Sequence, residues 1–132
     1  MKNEIIMEKL QEAGLNEIEI LKTEEDYVLL RFFYDFDDAE LDAAKAYSND
    51  ESGQEEESEQ WLSEFYIPYL EEISLDNVAD VLEELRDEEE IEIQFVSYEM
   101  EEEDIDYQEF IVLFKNREEE IDIDTLLDEL AL

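Results

Sequence analysis

The stretch YVLLRFFYDF, Tyr27 to Phe36, decides the fold, because strict alternation puts two apolar sets on one strand. Val28, Leu30, Phe32, Tyr34 and Phe36 fall on one side, while Tyr27, Leu29 and Phe33 fall on the other. A strand apolar on both sides is central in its sheet or covered on both faces. Upstream, Glu17 to Leu21 alternates with Ile18 and Ile20 in phase, and Thr23-Glu24-Glu25-Asp26 separates the two runs as a turn, so the pair reads as a hairpin.

A second hairpin is legible further on. Ile91, Ile93 and Phe95 alternate with Glu92 and Gln94, an acidic turn spans Glu99 to Asp106, and Tyr107 to Lys115 returns with Phe110-Ile111-Val112-Leu113-Phe114 at its centre. Each hairpin follows an amphipathic stretch. MEKLQEAGLNEIEIL from Met7 and LEELRDEEEIEIQFV from Leu82 share a helix, an acidic break and an Ile-Glu-Ile strand; both returning strands open on Asp-Tyr. Duplication and convergence on a common pattern both account for this weak repeat of 3–36 and 75–115. Either way the expectation is one α+β domain over 1–132, a four-stranded, mostly antiparallel sheet with helices packed on it.

Several helices carry their own punctuation. Ile6, Met7, Leu10 and Ala13 have helical spacing before Gly14, and Asp37 with Glu40 forms a capping box ahead of Leu41, Ala43, Ala44 and Tyr47. Trp61, Leu62, Phe65, Tyr66, Tyr69, Leu70 and Ile73 form a stripe that Pro68 interrupts, which predicts a kink or two short helices. Ser74 is placed to cap the next helix, with Leu75, Val78, Leu82 and Leu85 inward and Asp87-Glu88-Glu89-Glu90 at its end; Asp124 is placed to cap a final helix. Between the two units NDESGQEEESEQW, Asn49 to Trp61, has six carboxylates and Gly53 but no apolar periodicity. Residues 48–60 therefore read as a mobile acidic loop or frayed helix end.

Charge dominates the composition. The 132 residues include 45 acids against 8 bases, a formal charge of -37, with neither histidine nor cysteine. Two like charges about 6 Å apart in water repel by roughly 0.7 kcal/mol, so dozens of such pairs oppose compaction. The chain is nevertheless built to fold, since 44% of it is apolar, with seven Phe, seven Tyr and a Trp. Lys22, Arg31, Lys115 and Arg117 lie in or beside strands, where they can neutralise cross-strand acids.

This composition excludes more chemistry than it names. Without His or Cys, the Ser-His-Asp and Cys-His arrangements and thiolate zinc sites cannot be built, and Gly14 and Gly53 make no phosphate-cradling loop. Asp35-Phe36-Asp37, Asp104-Ile105-Asp106 and Asp122-Ile123-Asp124 begin a calcium-loop pattern that lacks its glycine; no metal or cofactor site is assigned. No signal-like or membrane-spanning apolar run occurs, and anionic membranes and nucleic acid itself would both repel the chain. The expectation is a non-catalytic cytoplasmic interaction protein with a basic, nucleic-acid-handling partner.

The sharpest form of that expectation is mimicry of nucleic acid. Duplex DNA presents one charge per about 1.7 Å. A compact chain of this length is about 36 Å across, and half of its net charge on one side gives roughly one per 2 Å. Clustering selects Glu83, Glu84, Asp87, Glu88, Glu89 and Glu90 at one helix end, helped by Glu55, Glu56, Glu57 and Glu59, as the groove-gripping residues. Alternatively, the acids are only a solubility or salt adaptation, or a weak divalent-cation binder. The two-sided strand near Phe33 leaves room for a homodimer.

Overall fold

A computed structural model describes residues 3–53, 58–101 and 105–132. Helix α1 (Asn3–Glu12) leads into strands β1 (Asn16–Glu24) and β2 (Tyr27–Asp35). Helix α2 (Asp38–Ser52) follows, then a helical run made of α3 (Glu59–Trp61), a π-helical turn (Leu62–Tyr66) and α4 (Ile67–Glu89). Strands β3 (Ile91–Ser97) and β4 (Tyr107–Asn116) and helix α5 (Ile123–Glu129) complete the order. The strands form one antiparallel sheet ordered β1-β2-β4-β3, so the two most apolar strands are the central pair. They align without a shift from Tyr27 opposite Lys115 to Asp35 opposite Tyr107. The expected α+β architecture is the observed one.

Alternation along this pair makes two cores. On one face Val28, Leu30, Phe32, Phe110, Val112 and Phe114 pack against Ile6 and Leu10 of α1 and Val78, Leu82 and Leu85 of α4. Phe32 and Phe110, opposite one another in register, stack with centroids 5.8 Å apart. On the other face Tyr27, Leu29, Ile111 and Leu113 are covered by Ile123 and Leu126 of α5. That cover ends near Arg31. Beyond it Phe33 is half-buried, and Asp35 and Tyr107 are exposed.

Local chemistry sets the element ends. Helix α1 stops in a Schellman motif: Leu15 N–H bonds the Leu10 carbonyl at 3.1 Å and Gly14 N–H that of Gln11 at 3.0 Å, with Gly14 at φ 86°. At α2 the capping box forms as the spacing predicts, Glu40 N–H to Asp37 Oδ1 at 2.8 Å and Asp37 N–H to Glu40 Oε1 at 3.1 Å. Helix α5 corrects the expectation for Asp124. Its cap is Asp122, whose Oδ1 accepts the Thr125 N–H at 2.8 Å, and Asp124 lies in the first turn. Ile123 is buried and already helical, which moves the start two residues upstream.

Pro68 does not split the long helix. The chain is helical through 59–89, and Ile67 N–H reaches back five residues to the Leu62 carbonyl, the π-helical pattern. The α-helical register is thus already interrupted one turn before the residue that has no N–H to offer Glu64, and Pro68 occupies a first-turn position of α4. Ser74 caps nothing. It is fully buried mid-helix, its hydroxyl near the Glu71 carbonyl at 3.0 Å and hydrogen-bonded to Oε1 of buried Gln108, whose amide donates to the Tyr98 carbonyl at 3.0 Å.

The described ends of the acidic connection, expected as mobile loop or frayed helix end, are helical. Asn49 to Ser52 are the last turn of α2, Gly53 ends it at φ 65°, and Ser58 caps α3 by accepting the Trp61 N–H at 3.3 Å. The turn is tied down at a distance. Trp61, fully buried and stacked on Tyr66 with centroids 4.7 Å apart, donates its indole N–H to Asn49 Oδ1 at 2.9 Å. Around it Phe36, Ala44, Ile67, Leu70 and Met100 form a third apolar cluster. Residues 54–57 lie outside the described residues.

Replacing Asn49 by Ala strands the buried indole N–H and is expected to lower unfolding stability by about 1–3 kcal/mol, whereas Asn49→Asp keeps an acceptor and loses less. Urea denaturation of both variants checks this. Equal stability for Asn49→Ala and the parent would contradict the tether.

Candidate acidic interaction surface

Helix α4 is two-sided by sequence. Ile67, Leu70, Ser74, Val78, Leu82 and Leu85 are buried along one side. Glu72, Asp76, Asp80, Glu83, Asp87 and Glu90 are all exposed, spaced four, four, three, four and three residues apart. At 3.6 residues per turn the five within α4 fall within an arc of about 80°, opposite the buried side, and Glu90 follows at the helix C-cap. They form an acidic ridge. With 1.5 Å of rise per residue it is about 27 Å long, one carboxylate per roughly 5 Å.

The ridge holds Glu83, Asp87 and Glu90, with Glu84 and Glu88 exposed beside it and Glu89 half-buried. The run-on acidic end owes its geometry to Glu90, which leaves the helix at φ 54°, ψ 45° with its N–H on the Arg86 carbonyl. Glu59 does not join this group. It is exposed at the start of α3, about 36 Å of helix away from Glu83 at 1.5 Å per residue, and Glu55, Glu56 and Glu57 lie outside the described residues. Glu72, Asp76 and Asp80 were not among the expected site residues. Their signal was the four-residue spacing, masked by the expected helix break at Pro68 and fresh start at Ser74.

Two cations enter the cluster. Lys9 of α1 meets Glu88 at 2.8 Å, and Arg86 lies 3.6 Å from Glu83 and 3.5 Å from Asp87. The hydrogen bond from Lys9 holds the Glu88 carboxyl below its ordinary range, and Glu88 holds the Lys9 ammonium above its own. The pair therefore contributes between those limits, losing its contribution as pH falls through the lowered Glu88 value or rises through the raised Lys9 value. All these side chains are at least a third exposed, where solvent screens ion pairs and leaves them weak, so an incoming basic group can displace them.

Strand cations behave differently. Arg31 bridges its cross-strand neighbours Glu19 at 2.6 Å and Glu109 at 3.7 Å. Lys115, buried, donates to the Glu119 carbonyl at 2.7 Å and lies 3.6 Å from its register partner Glu92. Lys22 reaches Glu129 of α5 at 3.3 Å instead of a strand acid, and Arg117 is exposed. Arg31, Lys115 and Lys22 thus tie the sheet and its C-terminal cover together, leaving the α4 ridge strongly negative.

Partly buried polar groups also tie α4 to the rest of the fold. Tyr34 donates to Glu40 Oε2 at 2.7 Å and accepts from Asn77 Nδ2 at 2.6 Å; burial, reinforced by the Glu40 bond, pushes its hydroxyl up to about 12, so it stays a donor at neutral pH. Burial likewise raises the Glu71 carboxyl, although it accepts the Met100 N–H at 3.4 Å. Among the described residues no three acids converge as metal ligands would, and no described helix is long and apolar enough to cross a membrane.

A carboxyl raised on folding favours the fold below its unfolded value and opposes it as pH rises through the folded one. Glu71→Gln is therefore expected to melt higher than the parent at pH 7. The gap should narrow as pH falls toward the ordinary glutamate value of about 4.3, and thermal melts across that range check it. A variant less stable than the parent at pH 7 would contradict it. No family model, curated protein or solved structure matches the chain.

Proposed function

We propose that the protein is a non-catalytic interaction module that captures a basic groove of a nucleic-acid-handling partner, with the α4 ridge lying where a nucleic-acid strand would lie. The observation that supports this most is the placement of five exposed acids on the side of α4 opposite its buried face. A row of like charges four residues apart destabilises an isolated helix by about 0.2–0.5 kcal/mol per pair. Here the core on the far side offsets that repulsion.

The spacing suits the role. One carboxylate per roughly 5 Å approaches the 3.4 Å rise per phosphate of a single DNA strand, and Glu84 and Glu88 alongside add to the density. A groove lined with Lys and Arg would exchange its counterions for the ridge, so affinity falls steeply with salt while long-range attraction speeds encounter. The exposed Arg86 and Lys9 pairs can open to admit the partner's cations.

Capture from lysate at low salt, followed by elution at high salt or with duplex DNA, tests the proposal. Basic nucleic-acid-binding proteins are expected in both eluates. A variant carrying Glu72→Gln, Asp76→Asn, Asp80→Asn, Glu83→Gln and Asp87→Asn is expected to lose them, whereas neutralising five acids elsewhere (Glu4, Glu8, Glu12, Glu24 and Glu118) retains most. Equal losses from the two variants would reduce the ridge to bulk charge. Captured neutral or acidic proteins that withstand high salt would contradict electrostatic capture.

A further inference from the structure

The end of the second sheet face left bare by α5 holds a cleft of about 560 Å³ lined by Asn16, Glu17, Phe33, Asp35 and Tyr107. Phe33 and Tyr107 meet edge to face, centroids 5.4 Å apart at 86°, and both rings border the cleft. The carboxylates come from two strands. Asp35 ends β2 and accepts the Asn16 amide at 2.6 Å, while Glu17 belongs to a bulge in edge strand β1, where the register jumps between Asn16 and Glu19. Glu17 itself takes φ 52°. Among the described residues neither carboxylate has a Lys or Arg within ion-pair distance, whereas the strand acids Glu19, Glu92 and Glu109 each do.

Aromatic rings beside carboxylates that lack a cation have one complementary ligand chemistry. A phosphate or carboxylate group would be repelled by Glu17 and Asp35, and a neutral apolar group would desolvate them without compensation. A second copy of the chain would bring the same repulsion to this rim. A planar cation satisfies both halves of the cleft, since a guanidinium lies against an aromatic ring while its N–H groups reach carboxylate oxygens.

We infer that this cleft binds an arginine side chain of a basic polypeptide partner, between the Phe33–Tyr107 pair and the carboxylates of Glu17 and Asp35. The inference deepens the capture reading, and rests on it only for the partner's basic character. The ridge attracts a basic surface from a distance, and the cleft selects one residue at contact.

The test titrates the full chain with N-acetyl-arginine methylamide, followed by amide and aromatic NMR shifts at near-physiological salt, where the Debye length is about 8 Å. The expected result is saturable shifts centred on residues 16, 17, 33, 35 and 107, absent with the citrulline analogue and weaker with the lysine analogue. Phe33→Leu and Glu17→Gly should each weaken binding about tenfold, the scale of one desolvated cation–π or charge-assisted contact. Glu17→Gly also relieves the left-handed backbone, so its melting temperature is expected to be no lower than the parent's, which separates lost recognition from lost folding. The ridge-neutralised variant should keep the cleft response.

Shifts spread evenly over all acids, equal responses to citrulline or lysine, or unchanged binding by Glu17→Gly would overturn the inference. Lysate capture through the ridge could survive any of those results. Conversely, a normal cleft response with no ridge-dependent capture would remove the proposed function and leave the cleft.

Discussion

The pairing of β2 with β4 is the constraint on which the rest of the molecule depends. Nine consecutive register pairs, Tyr27–Lys115 to Asp35–Tyr107, put two apolar faces back to back at the centre of the sheet. Neither can remain in water, so α1 and α4 are drawn to one side and α5 to the other. Carboxylates are then left with the outer faces of the helices, the turns and the exposed positions and ends of the strands, whatever the cost of crowding them there. Burial of the central strands is what allows a chain of net charge -37 to hold those charges at fixed positions.

The distribution of the few cations follows from the same constraint. Within the sheet, Arg31 and Lys115 neutralise acids in register with them, where repulsion between strands would act directly on the central pair. Among the described residues, only Arg86 on α4 and Lys9 from α1 interrupt the acidic series, Arg86 exposed and Lys9 half-buried. Cations thus serve cohesion in the sheet, while the surface of α4 keeps its negative charge. The bare end of the second face combines the two regimes, with aromatic surface from the central strands and acids from the end of β2 and the bulge of edge strand β1.

Much of this was legible because its causes are local. Two-residue alternation marked both hairpins and the central position of β2, and the Asp37–Glu40 box and Gly14 marked helix ends through neighbours three or four residues away. What was not legible depends on distant partners. Pro68 and Ser74 carry breaker and cap chemistry, yet the π-helical turn absorbs the proline and Gln108, 34 residues on, hydrogen-bonds the serine inside the core. Asn49 looks like loop until Trp61 bonds it. Reading a break at Pro68 also concealed the ridge, because Glu72, Asp76 and Asp80 join Glu83 and Asp87 only on an unbroken helix, and Glu59 could be grouped with Glu83 only while the intervening helix was broken.

A ridge offers a partner geometry as well as charge only if α4 stays formed when its carboxylates repel most strongly, at low ionic strength. Native-state hydrogen exchange of the backbone amides from Asp76 to Asp87, without a partner and at about 0.01 M salt, where the Debye length is about 30 Å, measures this directly. A rigid ridge predicts protection there matching that of Leu30 and Val112 in the central strands, lost only through global unfolding. Exchange in that helix far faster than in those strands would show a fluctuating acidic segment, and the fixed negative surface would not exist.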